Sequence, residues 1–147
     1  MLGFFRQYEL VYVLADESDV IRLRTNYRGE RVFFYRLKTS RPVARALLEH
    51  YLDEANGLAR APAWYNAFSE NCTTSIWHNV KAVSPGNRFD WRLLANGYLD
   101  RLAYERGMID TKVPFEELRE RSEITARAKG CGPGDDFSRC IRAGSRP

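Results

Sequence analysis

Tyr8-Glu9-Leu10-Val11-Tyr12-Val13-Leu14 and Arg31-Val32-Phe33-Phe34-Tyr35-Arg36-Leu37 are the two stretches on which the expected architecture turns. Both are rich in β-branched and aromatic residues, and both predict strands. Their alternation is imperfect, with apolar residues on both faces, which suits a sheet that is mostly covered. Between them, Asp16-Glu17-Ser18-Asp19 marks a turn or a helix start. Val20 to Tyr27 reads equally well as a short helix or a strand, because periodicity does not separate the two there.

The rest of the chain predicts helices. Ser40 caps the first, with Pro42 in its early turn. Val43, Leu47, Leu48, Tyr51, Leu52, Ala55 and Leu58 give it a broad apolar face, and Gly57 and Pro62 mark its end. Asn71 to Val83 is a second helix. Trp91 to Arg106 is one or two more, capped by Asp90 and stopped by Gly107. Pro114 to Arg121 follows, with Glu116 and Glu117 early and Arg119 and Arg121 late, matching the helix dipole. Gly130-Cys131-Gly132-Pro133-Gly134 is a loop. Strands first and helices after predict an α+β fold. A small antiparallel sheet would contain Tyr8 to Leu14 and Arg31 to Leu37, packed by the helices Pro42 to Leu58 and Asn71 to Val83. Residues 1–130 form the expected domain, and 131–147 a Gly/Pro-rich basic tail.

Composition agrees with one domain. The chain has 147 residues, 44% of them hydrophobic and 29% charged, the mix of a soluble globular protein. Aromatics at 13% supply enough apolar surface to close a core. No apolar run approaches the roughly 20 residues a membrane span needs, and the mean hydropathy is −0.48. Coiled-coil, collagen-like and repeat classes fail for lack of a period. The net charge is +4, with the signs interspersed. From Arg121 onward six basic residues oppose three acidic ones, and a solvated basic tail accounts for this better than contact with lipid or nucleic-acid phosphates. No nucleic-acid partner is expected. Met1-Leu2-Gly3-Phe4-Phe5 is too short for the apolar core of a signal peptide. A chain that enters its first strand this early reads as a piece of something longer.

Three cysteines, Cys72, Cys131 and Cys140, are too few for a disulfide framework and fit no zinc pattern. No metal or cofactor is expected. Cys131 and Cys140 are predicted to be bridged or close in an oxidising compartment, because the glycines between them allow a sharp return. Cys72 is left alone.

Any chemistry sits at Asn71-Cys72-Thr73-Thr74. Asn71 is a good N-cap, which makes Cys72 the first helical residue. A thiol there faces unpaired backbone N–H groups and the positive end of the dipole, which favours thiolate. The competing reading is structural: Cys72, Ile76, Val80 and Val83 are spaced as an inward stripe, and spacing alone favours it. A nucleophilic cysteine also needs a base. His78 is six residues on, roughly 120° off the face of Cys72. His50 lies off the main apolar stripe of its helix and is expected to be exposed. Tyr65 and Asn71 are the nearest polar candidates for steadying an oxyanion, beside backbone N–H groups of the helix start. Each has a plain alternative, Asn71 as a cap and Tyr65 as a core aromatic.

Several short stretches together resemble one family. They are Phe5-Arg6-Gln7-Tyr8-Glu9-Leu10, Leu23-Arg24-Thr25-Asn26-Tyr27, and Trp64-Tyr65-Asn66 followed by Asn71-Cys72-Thr73-Thr74. Asp90-Trp91-Arg92 with Asn96-Gly97-Tyr98, and Phe137-Ser138-Arg139 with Ile141-Arg142, continue the series. In this order they resemble the Lnb N-terminal periplasmic domain family, over nearly the whole chain. That family looks like a relative of the circularly permuted, NlpC-type branch of papain-like enzymes, in which an Asn-Cys motif opens the nucleophile helix.

The resemblance implies a permuted papain-like core, here lacking its amino-terminal part. It also implies a periplasmic, thiol-dependent acyltransferase of the lipoprotein N-acylation type. Cys72 would take an acyl chain as a thioester and pass it to an amine. A lipid or lipoprotein acyl substrate and a peripheral membrane surface are the implied partners. In the permuted enzymes the catalytic His lies on a strand upstream of the Cys, and this chain has no His before His50. Two readings therefore stand: an enzyme whose His lies further upstream, or a non-catalytic binding module of the same fold.

Overall fold

A computed structural model of the chain describes residues 8–65, 72–86, 88–93 and 97–144, without the side chains of Cys72 and Thr73. Among the described residues seven α-helices follow in order: α1 Glu17–Arg22, α2 Arg41–Arg60, α3 Cys72–Val83, α4 Leu99–Glu105, α5 Phe115–Ser122, α6 Thr125–Gly130 and α7 Phe137–Arg142. A π-helical turn, Leu23–Tyr27, continues α1, and a 3-10 turn spans Trp91–Leu93. Helix accounts for 57% of the described residues, and no strand is found among them, so the expected α+β fold with a small antiparallel sheet is wrong.

The two predicted strands explain the error. Neither Tyr8–Leu14 nor Arg31–Leu37 is helical, but each has a single isolated bridge, Glu9 to Trp64 and Phe33 to Glu123. A strand exists only with a neighbour that continues its ladder. Leu10 N–H donates to the Ala63 carbonyl at 2.8 Å and Tyr65 N–H to the Tyr8 carbonyl at 2.7 Å. Among the described residues no pairing follows beyond Leu10, and Val11, Val13 and Leu14 stand exposed. Phe34 N–H donates to Ser122 and Ile124 N–H to Val32, so the second segment clasps the junction between α5 and α6 rather than another strand.

The chain forms two compact units. One comprises Met1–Val13 and Thr39–Leu102, the other Leu14–Lys38 and Ala103–Pro147. In the first unit, Ser40 caps α2 by accepting from Val43 N–H at 3.4 Å, with Pro42 in the opening turn. Leu47, His50, Tyr51, Ala55 and Leu58 form its half-buried stripe, at spacings of three and four. Val43, Leu48 and Leu52 of the expected face are exposed. α2 packs against α3. The Tyr12 ring meets Tyr51 edge-on at 6.2 Å, and burial pushes the Tyr51 hydroxyl above its usual pKa.

In the second unit Ile124, Ala128, Cys131, Phe137 and Ile141 make the core, with Ile21, Val32, Phe34 and Cys140 packed on it. Cys131 and Cys140 are disulfide-bonded, with 6.0 Å between their Cα atoms, as expected. The described part of 131–147 is not a solvated tail. It carries α7, capped by Asp136, whose Phe137 and Ile141 are buried. α6, α7 and the helix over Val20–Tyr27 are elements that local patterning left open or missed. Their apolar residues are few, and only the shared core gathers them.

Candidate functional site

α3 is described over the twelve residues Cys72–Val83, and residues 66–71, which lead into it, lie outside the described residues. A cysteine in the first turn of a helix lies among the N–H groups that have no intrahelical acceptor. Asn71 lies outside the described residues, and so does the Cys72 side chain. The capping bond and the state of the thiol are therefore expectations from the sequence. Tyr65 is half-buried, and its backbone is held by the bond to the Tyr8 carbonyl.

The buried face of α3 is polar. Among its described side chains Thr74, Ser75 and Asn79 are the buried ones, and Asn79 is 2% exposed. Positions 75 and 79 follow Cys72 by three and seven and so share its helical face. Asn79 Nδ2 donates to the Ser75 carbonyl at 2.7 Å, while its Oδ1 is buried with no hydrogen-bond partner. Of the apolar stripe expected from Cys72, Ile76, Val80 and Val83, Ile76 is 43% exposed and Val80 and Val83 are half-buried, while the Cys72 side chain lies outside what is described. Small polar residues four apart, Ser75 and Asn79, were the signal for this face. Hydrophobic periodicity overlooks it, because that test weighs apolar residues only.

The two histidines differ from each other. His78 is exposed, its ring edge-on to Trp77 at 4.8 Å. His50, expected to be exposed, is half-buried within the covered stripe of α2. Leu47, three residues before it, shares its helical face. Downstream of α3, Asp90 Oδ1 accepts from Arg92 N–H at 2.9 Å, and the two side chains form a partly buried ion pair at 2.9 Å. That pair holds the start of the 3-10 turn, where Asp90 was expected as a cap.

Among the described residues no group of three His, Cys, Asp or Glu is placed to hold a metal ion. No described helix is long and apolar enough to cross a membrane. A groove of about 910 Å³ belongs to the second unit, lined by Phe34, Ile109, Val113 and Leu118 with Arg36, Arg121 and Arg142.

Comparison with known proteins gives one match. The family model described as the Lnb N-terminal periplasmic domain covers residues 1–97. That span takes in the stretches at 23–27, 64–66, 71–74 and 90–92, and leaves those at 137–142 beyond it. No curated protein and no solved structure matches the chain.

Proposed function

The chain belongs to the Lnb N-terminal periplasmic domain family, and on that premise we propose that it carries the nucleophile of a thiol-dependent acyl transfer in the periplasm. The family is periplasmic, and so is the chain. The observation that supports the chemistry is that Cys72 lies in the amino-terminal part of the described helix α3, Cys72–Val83, on the side of the positive end of its dipole.

In the proposed reaction the Cys72 thiolate attacks the carbonyl carbon of an acyl ester. The carbonyl oxygen takes up the charge, and N–H groups at the helix start stabilise it, with Asn71 and Tyr65 as supporting donors. The ester C–O bond breaks, the leaving alkoxide takes back the proton that the general base removed from the Cys72 thiol, and a thioester remains on Cys72. An amine of a lipoprotein then attacks the thioester carbonyl. The C–S bond breaks, an amide forms, the thiolate returns, and the amine proton passes to a general base. The resemblance locates that base on a histidine upstream of the cysteine. A second reading is a binding module of the same family without the chemistry.

Thiol labelling and acyl-transfer assays separate the two, run on this chain and on the protein extended upstream by its genomic sequence. The enzymatic reading expects Cys72 to label, the extended protein to transfer acyl groups, and Cys72→Ala to abolish transfer. Full activity of extended Cys72→Ala protein, with Cys72 unreactive in both forms, would sink it.

A further inference from the structure

The groove of the second unit is edged by the segment that carries Arg36. Phe34 N–H donates to the Ser122 carbonyl at 2.8 Å, and Lys38 N–H donates to the Met108 carbonyl at 2.7 Å. Arg36 lies midway in the chain between these two anchors and lines the groove. Its backbone N–H and C=O make no hydrogen bond among the described residues, and its exposed guanidinium has no partner there. Backbone groups left open beside an apolar groove are a means of holding a peptide.

The walls are apolar: Phe34, Val113 and Leu118 are half-buried, and Ile109 is buried. Four charged side chains line the groove among the described residues, and two of them are already matched. Arg121 pairs with Glu117, and Arg142 pairs with Glu17 at 2.6 Å. The other two are not matched. Arg36 keeps its positive charge. Asp110, half-buried, accepts from Lys112 N–H at 3.1 Å, which leaves its negative charge uncancelled, and no cation pairs with it among the described residues. One unmatched cation and one unmatched anion over apolar walls complement a ligand that is itself dipolar. Its carboxylate suits the guanidinium and its ammonium suits the carboxylate. The volume of about 910 Å³ lies toward the upper end of the roughly 300–1,000 Å³ that holds small ligands.

We propose that this groove binds a short apolar peptide with both ends free. The peptide carboxylate meets Arg36, its ammonium meets Asp110, and its amide groups bond the Arg36 backbone. Its side chains cover Phe34, Ile109, Val113 and Leu118. Every lining residue belongs to the second unit, whereas Tyr65, Asn71 and Cys72 belong to the first. The proposal therefore stands or falls apart from the acyl-transfer reading.

The experiment is isothermal titration calorimetry of the full chain with di-, tri- and tetrapeptides of alanine and leucine, at about pH 6.5, where both peptide ends are charged. At least one length should bind. Acetylating its amino end or amidating its carboxyl end should each weaken binding about tenfold or more. A glycine peptide of the same length should also bind about tenfold more weakly. Arg36→Gln should weaken the free peptide about tenfold and erase the effect of amidation while keeping that of acetylation. Asp110→Asn should do the reverse. Thermal melts confirm that each variant is folded, and the modified peptides probe the site on the unaltered protein. No binding at several millimolar peptide, or equal binding of the free, acetylated and amidated forms, overturns the proposal. So do end effects that persist unchanged in both variants. Binding of octanoate without binding of any peptide would overturn it as well, and would assign the groove to an anionic amphiphile.

Discussion

Glu17 and Arg142 hold each other across 125 positions of sequence, with Arg142 Nη2 donating to Glu17 Oε1 at 2.6 Å and Nη1 to Oε2 at 2.7 Å. The pair ties α1 to α7 within the second unit. Ser138 Oγ donates to the same carboxylate at 2.5 Å, and the Arg142 guanidinium lies 4.7 Å over the Phe34 ring.

The hydrogen bond from Arg142 lowers the Glu17 pKa below its ordinary 4.5, burial opposes the shift, and Ser138 adds to it. A lowered carboxylate contributes stability above its unfolded pKa and loses it as pH falls through the folded value. The pair is partly exposed, so Glu17→Gln should cost about 0.5–1 kcal/mol at pH 7. Urea unfolding of both proteins should show that difference shrinking below about pH 4.5 and vanishing in stronger acid. A difference that grows with acidification would contradict the assignment.

The disulfide joins Cys131, at the end of α6, to Cys140 in α7, nine positions apart. Closing so short a loop contributes about 2–3 kcal/mol through the unfolded chain. Reduction, or the double change Cys131→Ser and Cys140→Ser, should lower the melting temperature by several degrees. Equal melting of oxidised and reduced protein would show that the bridge adds nothing to a core already packed.

Ile124 and Ile141 are fully buried in the same cluster. Ile124→Ala and Ile141→Ala should each cost about 2–5 kcal/mol. Val13→Ala, at a residue 76% exposed, should change stability by less than about 0.5 kcal/mol. Chemical denaturation of the three variants reads this directly, and a comparable loss at Val13 would mean that the extended segment is covered in solution.

Asn79 has a buried, unpartnered Oδ1 on the polar face of α3. Replacing such a group by an apolar one of similar shape is neutral or stabilising, so Asn79→Leu should change stability by no more than about 1 kcal/mol. A loss of 2 kcal/mol or more in calorimetry would reveal a donor that pairs with the carboxamide.

The helix ends were readable because caps are local. Ser40 with Pro42 defines the start of α2, and Pro114 precedes α5. The Cys131–Cys140 bridge followed from two cysteines and the glycines between them. The motif stretches pointed to the family. Each of these depends on residues within about a helical turn or a short loop, whose chemistry is fully present in the chain.

The outcome at Tyr8–Leu14 and Arg31–Leu37 depended instead on residues far away. Their β-branched and aromatic side chains favour extended backbone, and extended they are. A sheet also needs a second backbone at ladder distance, and the nearest ones, at Trp64 and Glu123, meet them at one residue each. Burial was decided the same way: Ser75 and Asn79 lie inside while Ile76 stays half out, and Phe137 and Ile141 join a core from a stretch that looks like a tail. Backbone preference is a property of neighbours in sequence, whereas pairing and burial are properties of neighbours in space, and only the folded chain supplies those.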